Sequence, residues 1–109
     1  MRNAILRDVK GKVIYNLTKL AEDNDEEISV GREGNGNNIE LGLDLTISRS
    51  HATITYQDTG KFWIKDHSTN GTRINETLLK LEMGYLSDGD ELWFGAYGPI
   101  IYEEIINSK

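Results

Sequence analysis

Short apolar and β-branched runs recur along this chain at intervals of about eight to twelve residues, each closed by Gly, Asn or Asp. That rhythm leaves little room for helices and is the pattern of an all-β sandwich or barrel. Strands are predicted over 3–8, 12–17, 27–30, 38–41, 51–56, 61–66, 72–74, 91–95 and 100–105. Alternation is clearest over 51–56, where Ala52, Ile54 and Tyr56 share one face while His51, Thr53 and Thr55 share the other. Phe62-Trp63-Ile64 and Leu92-Trp93-Phe94 are apolar on both faces, which predicts that each strand lies centrally or has one ring capping an edge, with both tryptophans in the core by default. Residues 17–27 carry Glu22, Asp23, Asp25, Glu26 and Glu27 against the single Lys19, and read as a solvated acidic loop.

At 109 residues and 12.3 kDa the chain fits one domain, with a core expected over about 3–106. Twelve basic against 18 acidic side chains leave a net charge of −6, which disfavours a nucleic-acid partner. With no cysteine, disulfides, thiolate metal sites and cysteine nucleophiles are excluded, and a cytoplasmic, intracellular setting is expected. No apolar run reaches the ~18–20 residues of a spanning helix, and the opening residues lack the apolar stretch of a signal peptide, so no membrane partner is expected. A monomer is expected in isolation.

Polarity concentrates in three segments between strand candidates: 31–38, 48–51 and 67–72. They offer guanidinium groups at Arg32 and Arg49, hydroxyls at Ser48, Ser50, Ser68, Thr69 and Thr72, and amides at Asn37, Asn38 and Asn70. A phosphate ester carries about −1.5 to −2 charges at pH 7 and strong acceptor oxygens, and such a donor set matches it. Asn70-Gly71 suits a tight turn with positive φ that presents the Asn70 side chain to an extended peptide backbone.

Plainer roles remain open at this point: Arg32 paired with Glu33 or Glu40, Ser48 closing a turn, Arg49 as a solvated charge. An enzyme built on Ser48 or Ser50 with His51 and Asp66 is disfavoured, because a histidine directly after Ser50 in an extended strand points to the opposite face. His51, His67 and Asp66 lack metal-ligand spacing, and no nucleotide-binding glycine motif is present. Neither metal nor cofactor is expected.

Five motifs in order resemble the forkhead-associated (FHA) domain: Gly31-Arg32; Asn38-Ile39-Glu40-Leu41; Ile47-Ser48-Arg49-Ser50-His51-Ala52; Asp66-His67-Ser68-Thr69-Asn70-Gly71-Thr72 with Asn75; and Leu86-Ser87-Asp88-Gly89-Asp90 followed by Phe94-Gly95. The resemblance implies a β-sandwich of two packed, mostly antiparallel sheets with binding loops at one end. It implies recognition of phosphothreonine, made by a Ser/Thr kinase, in a partner protein, without catalysis. Carried over by position, Arg32 contacts the phosphate, Ser48 and Thr69 hydrogen-bond it, Arg49 lies beside it or the peptide, and Asn70 clamps the peptide backbone. Gly31, His51 and Gly71 are implied to brace the loops. The long acidic segment before Gly31 and the flexible Gly34-Asn35-Gly36 depart mildly from the family pattern. A module of the same fold that binds a partner without phosphate, through a sheet face or edge, is the alternative.

Overall fold

A computed structural model describes residues 2–57 and 60–106. Among these, the apolar runs form β1 (Arg2–Arg7), β2 (Val13–Asn16), β3 (Glu27–Gly31), β4 (Ile39–Glu40), β5 (Ala52–Tyr56), β6 (Phe62–Asp66), β7 (Thr72–Ile74), β8 (Thr77–Leu79), β9 (Met83–Tyr85), β10 (Glu91–Phe94) and β11 (Tyr97–Ile106), with one helix, α1 (Leu17–Asp23). One sheet has six strands in the order β2-β1-β11-β10-β7-β8, and the other has five in the order β4-β3-β5-β6-β9. All their paired strands are antiparallel except β3 with β4, where Val30 lies beside Ile39. The all-β sandwich of two mostly antiparallel sheets is therefore the fold.

Alternate residues of each sheet face inward and meet in one core. Leu6, Leu92, Phe94 and Tyr102 come from the six-stranded sheet, while Ile28, Val30, Ile54, Phe62 and Ile64 come from the other. This alternation corrects the expectation for the tryptophans. Phe62 and Ile64 turn inward, so Trp63 faces outward, and Leu92 and Phe94 do the same to Trp93; both indoles are half-buried on outer faces. Each strand is nevertheless central, and Trp93 is covered by the Arg73 guanidinium, 4.0 Å from the ring centroid.

The acidic loop expected over 17–27 is instead α1 followed by a short turn. Leu17 and Ala21, four residues apart, are buried, and Leu20 packs beside them, so one stripe of a two-turn helix faces the core. Asn16 caps it by accepting the Lys19 N–H at 3.0 Å, and the Thr18 hydroxyl accepts the Ala4 N–H at 2.9 Å, tying α1 to β1. Glu22 and Asp23 stay exposed, so the acidic residues face solvent as expected while the backbone does not remain a loop. β8 and β9, which the strand pattern does not predict, are each three residues long, too short for alternation to register. Leu17→Ala is expected to cost about 2–5 kcal/mol in a denaturant titration, whereas Glu22→Ala should change stability by less than about 0.5 kcal/mol.

Candidate functional site

The three polar segments come together at one end of the sandwich, joined by hydrogen bonds between loops. His51, fully buried at the edge of the core, is the joint. Its backbone N–H donates to Val30 O (2.8 Å), its Nδ1 accepts the Ser48 N–H (3.0 Å), and its Nε2 lies 3.0 Å from Gly71 O. Because Nδ1 accepts a main-chain N–H, the ring proton sits on Nε2 and is donated to Gly71 O. Burial holds the imidazole below its ordinary pKa, against the opposing pull of Gly71 O and the Asp66 carboxylate, so the neutral ring is favoured. The sequence alternation put His51 on the face of Thr53 and Thr55; the residue precedes β5, and its ring turns inward to meet Phe94 edge-on at 5.6 Å.

Asp66, also buried, organises the turn between β6 and β7. Its Oδ1 accepts the hydroxyls of Ser68 (2.6 Å) and Thr72 (2.7 Å), and its Oδ2 accepts the Leu81 N–H (2.9 Å). Burial alone would raise its pKa, but these donors, led by Leu81, outweigh burial and hold the carboxyl below its usual range. Ser68 also accepts the Gly71 N–H at 2.7 Å. Ser68 and Thr72 are thus spent inside the turn, which removes them from the expected set of outward donors. Asn37 is likewise occupied, donating to Arg49 O at 2.7 Å.

The residues left facing outward are those at the tips. Arg32, half-buried, donates its backbone N–H to Ser48 O at 3.1 Å, while its guanidinium makes no hydrogen bond or ion pair among the described residues. Glu40, the acid expected as an alternative partner, instead accepts N–H groups of Gly34, Gly36 and Asn37 at 2.9–3.2 Å. Those amides, Gly34 foremost, hold its carboxyl below the usual range and fold the flexible glycine segment around it. Ser48 Oγ accepts the Thr69 N–H at 3.1 Å, leaving the hydroxyl proton to donate. Asn70, exposed, donates through Nδ2 to Thr46 O at 3.1 Å, and its carbonyl oxygen has no hydrogen bond among the described residues. Arg49 and Thr69 are exposed beside it. Sequence reasoning missed Lys80: its ammonium donates to Thr69 O at 3.1 Å and adds a third cation to this end. It follows the three-residue β8, and no linear motif marks it.

Two glycines permit the close approach. A Cβ on Gly31 would collide with Arg49 O and the Asn37 side chain, and Gly71 has φ +93° with Leu78 Cδ1 only 2.7 Å from where a Cβ would stand. The Ser-His-Asp arrangement is not assembled, because His51 bonds the Ser48 main chain rather than its hydroxyl, and Gly71 O rather than Asp66.

The FHA-domain family model matches residues 28–95. The chain belongs to the FHA-domain family. Over 70 residues it is 36% identical to the E3 ubiquitin-protein ligase CHFR of Danio rerio, covering 62% of this chain and 11% of that protein's length. The FHA domain of an Arabidopsis thaliana hypothetical protein superposes with a TM-score of 0.77 at 26% identity, over 100% of this chain and 91% of that one. A structure from a study of phosphothreonine-dependent FHA domain interactions superposes with a TM-score of 0.67 at 26% identity, over 94% of each chain.

The depressed His51 pKa sets a pH dependence for this FHA domain. The unfolded histidine takes its proton near pH 6.5, while the folded one resists until lower pH, so the unfolded state binds more protons in between. Bracing by His51 is therefore complete above about pH 6.5 and is lost as pH falls through the folded value. His51→Ala should lower the melting temperature, since it strands two main-chain groups at about 1–3 kcal/mol each. Thermal melts of the unliganded protein from pH 7.5 to 5 should lose part of their slope in the variant.

Proposed function

We propose that this FHA domain is a non-catalytic reader of phosphothreonine in a partner protein, acting in phosphorylation-dependent signalling or assembly in the cytoplasm. The observation that carries the reading is the Arg32 guanidinium, held without an acidic partner among the described residues at the tip where the Ser48, Thr69 and Asn70 loops are tied together. A phosphate dianion there receives charge-assisted bonds from Arg32 and hydroxyl donation from Ser48 and Thr69, with Arg49 beside it. Asn70, fixed to Thr46 O, offers its remaining polar atoms to the peptide main chain. The likeness to FHA domains studied for phosphothreonine-dependent interactions supports the same reading. The ligase likeness spans only 11% of that protein, so ubiquitin transfer is no part of it.

Recognition must work against the overall field, because the net charge is −6 and the ligand is an anion. The site answers locally with Arg32, Arg49 and Lys80. Residues 1–109 are proposed to act as one module, with the kinase that makes the ligand supplied by the cell.

In titration calorimetry with a phosphothreonine peptide selected from a degenerate library, Arg32→Ala is expected to cost about 2–5 kcal/mol of binding. A change below threefold would remove Arg32 from the site. Phosphothreonine should exceed matched phosphoserine by about 1–3 kcal/mol if its methyl enters a fitted pocket, and equal affinities would reject that pocket. Absence of capture by a folded protein would shift the reading to the phosphate-independent assembly module.

A further inference from the structure

Of the nine large apolar side chains exposed among the described residues, six lie elsewhere and three follow one another at a single strand. Leu81, Met83 and Tyr85, with relative exposures of 65%, 50% and 55%, line the free edge of the five-stranded sheet. Edge strands are ordinarily protected by charge, proline, a bulge or a cover. The opposite edge, β4, is only two residues long and is flanked by the loop wrapped around Glu40. β9 is Met-Gly-Tyr, with no charge and no proline, and its ladder with β6 runs without a register shift.

The ladder also settles which backbone groups are unpaired. Leu86 N–H donates to Phe62 O and Asp66 N–H to Glu82 O, in phase with the Ile64–Gly84 pair, so residues 82, 84 and 86 turn their hydrogen-bonding groups toward β6. Met83 and Tyr85 consequently turn theirs outward, giving two N–H donors and two C=O acceptors along the free edge.

We infer that two copies of this chain associate by antiparallel pairing of β9 with β9 about a twofold axis at Gly84. In that register Met83 of each copy faces Tyr85 of the other, and each pair exchanges two hydrogen bonds, which satisfies all the outward groups. Registers displaced to either side fail. Centring on Met83 calls on the Leu81 N–H, already donated to Asp66 Oδ2 at 2.9 Å, and centring on Tyr85 calls on the Ser87 N–H, already donated to Asp90 Oδ2 at 2.8 Å. Gly84 occupies the close, non-hydrogen-bonded position on the axis, where two side-chain-free residues do not crowd.

The outer face supports the same pairing. Trp63 packs edge-on to Tyr85 with centroids 4.8 Å apart, and Lys61 lies over Tyr85 at 5.9 Å, leaving the Tyr85 ring held upright at the edge. In the dimer the Met83 thioether of the second copy lies beside that ring, a favourable sulfur–aromatic contact. The paired segment is short, so a weak dimer is expected, with a dissociation constant on the order of 100 µM. The proposal departs from the monomer expected from sequence and does not depend on the phosphothreonine reading. The antiparallel arrangement sets the two loop ends at opposite ends of one continuous sheet, so a dimer would bridge two phosphorylated partners rather than clasp one.

Sedimentation velocity of the unliganded protein over about 5–500 µM should show concentration-dependent dimerisation, and the double variant Met83→Lys/Tyr85→Lys should remain monomeric, with a melting temperature somewhat lowered by loss of the Tyr85–Trp63 contact. In the unmodified protein, amide exchange at Met83 and Tyr85 should slow about threefold across that range, while the β8 amide of Thr77 does not change. A monomer at the highest concentration, or a dimer whose Met83 and Tyr85 amides exchange at the monomer rate, would overturn the inference. The exchange measurement needs no substitution and decides the matter even if the double variant fails to fold.

Discussion

A neutral imidazole with both nitrogens engaged holds the binding end of this molecule together. His51 joins the Ser48 loop to the Gly71 turn, and its own backbone is anchored to Val30 of β3. The His51 ring is fully buried, where an unmatched partner is costly, so the loops favour the arrangement that satisfies all of these bonds. Ser48 in turn receives Arg32 through its carbonyl and Thr69 through its hydroxyl. The positions of the groups proposed to meet the phosphate are therefore consequences of one buried ring. Asp66 plays the complementary part from below, gathering Ser68, Thr72 and Leu81 so that the Thr69-Asn70 tip is presented on a rigid turn.

The electrostatics follow from where carboxylates are spent. A chain with excess negative charge keeps its cationic end available in part because Glu40, beside Gly31 in the β3–β4 ladder, is committed to main-chain N–H groups. The acids at 22–27 are exposed on and after α1. In the proposed function, local donor geometry rather than long-range attraction therefore carries recognition, since close-range bonds to a phosphate dianion are the strong ones.

The strands that carry the core were legible where burial on one face writes itself as alternation, as in β5 with Ala52 and Ile54, or as an apolar run between turn residues, as in β6. The same rule went wrong where polarity and burial part company. Trp63 and Trp93 are apolar yet outward, covered by Tyr85 and Arg73 respectively. α1 went unread because its apolar stripe is only Leu17, Leu20 and Ala21 amid acidic neighbours, and two turns give too few repeats for a period. β8 and β9 were invisible for the same reason of length. Within the site, the motif residues could be named from sequence, but Ser68, Thr72 and Asn37 could not be separated from Ser48, Thr69 and Asn70 by residue type, since all are donors.

By itself, the sequence determined the all-β class, the absence of thiol chemistry and the chemical inventory of the loops, because alternation and composition are local properties. Only the tertiary structure decided which donors are consumed and which remain. His51 meets Gly71 across 20 residues, Asn70 meets Thr46 across 24, and Ala96 meets the Thr46 hydroxyl across 50. A hydrogen bond is assigned by distance and direction in space, so its partner cannot be read from neighbours in the chain. The free edge of β9 is likewise a property of strand order, set when the sheet closes on β6 and stops.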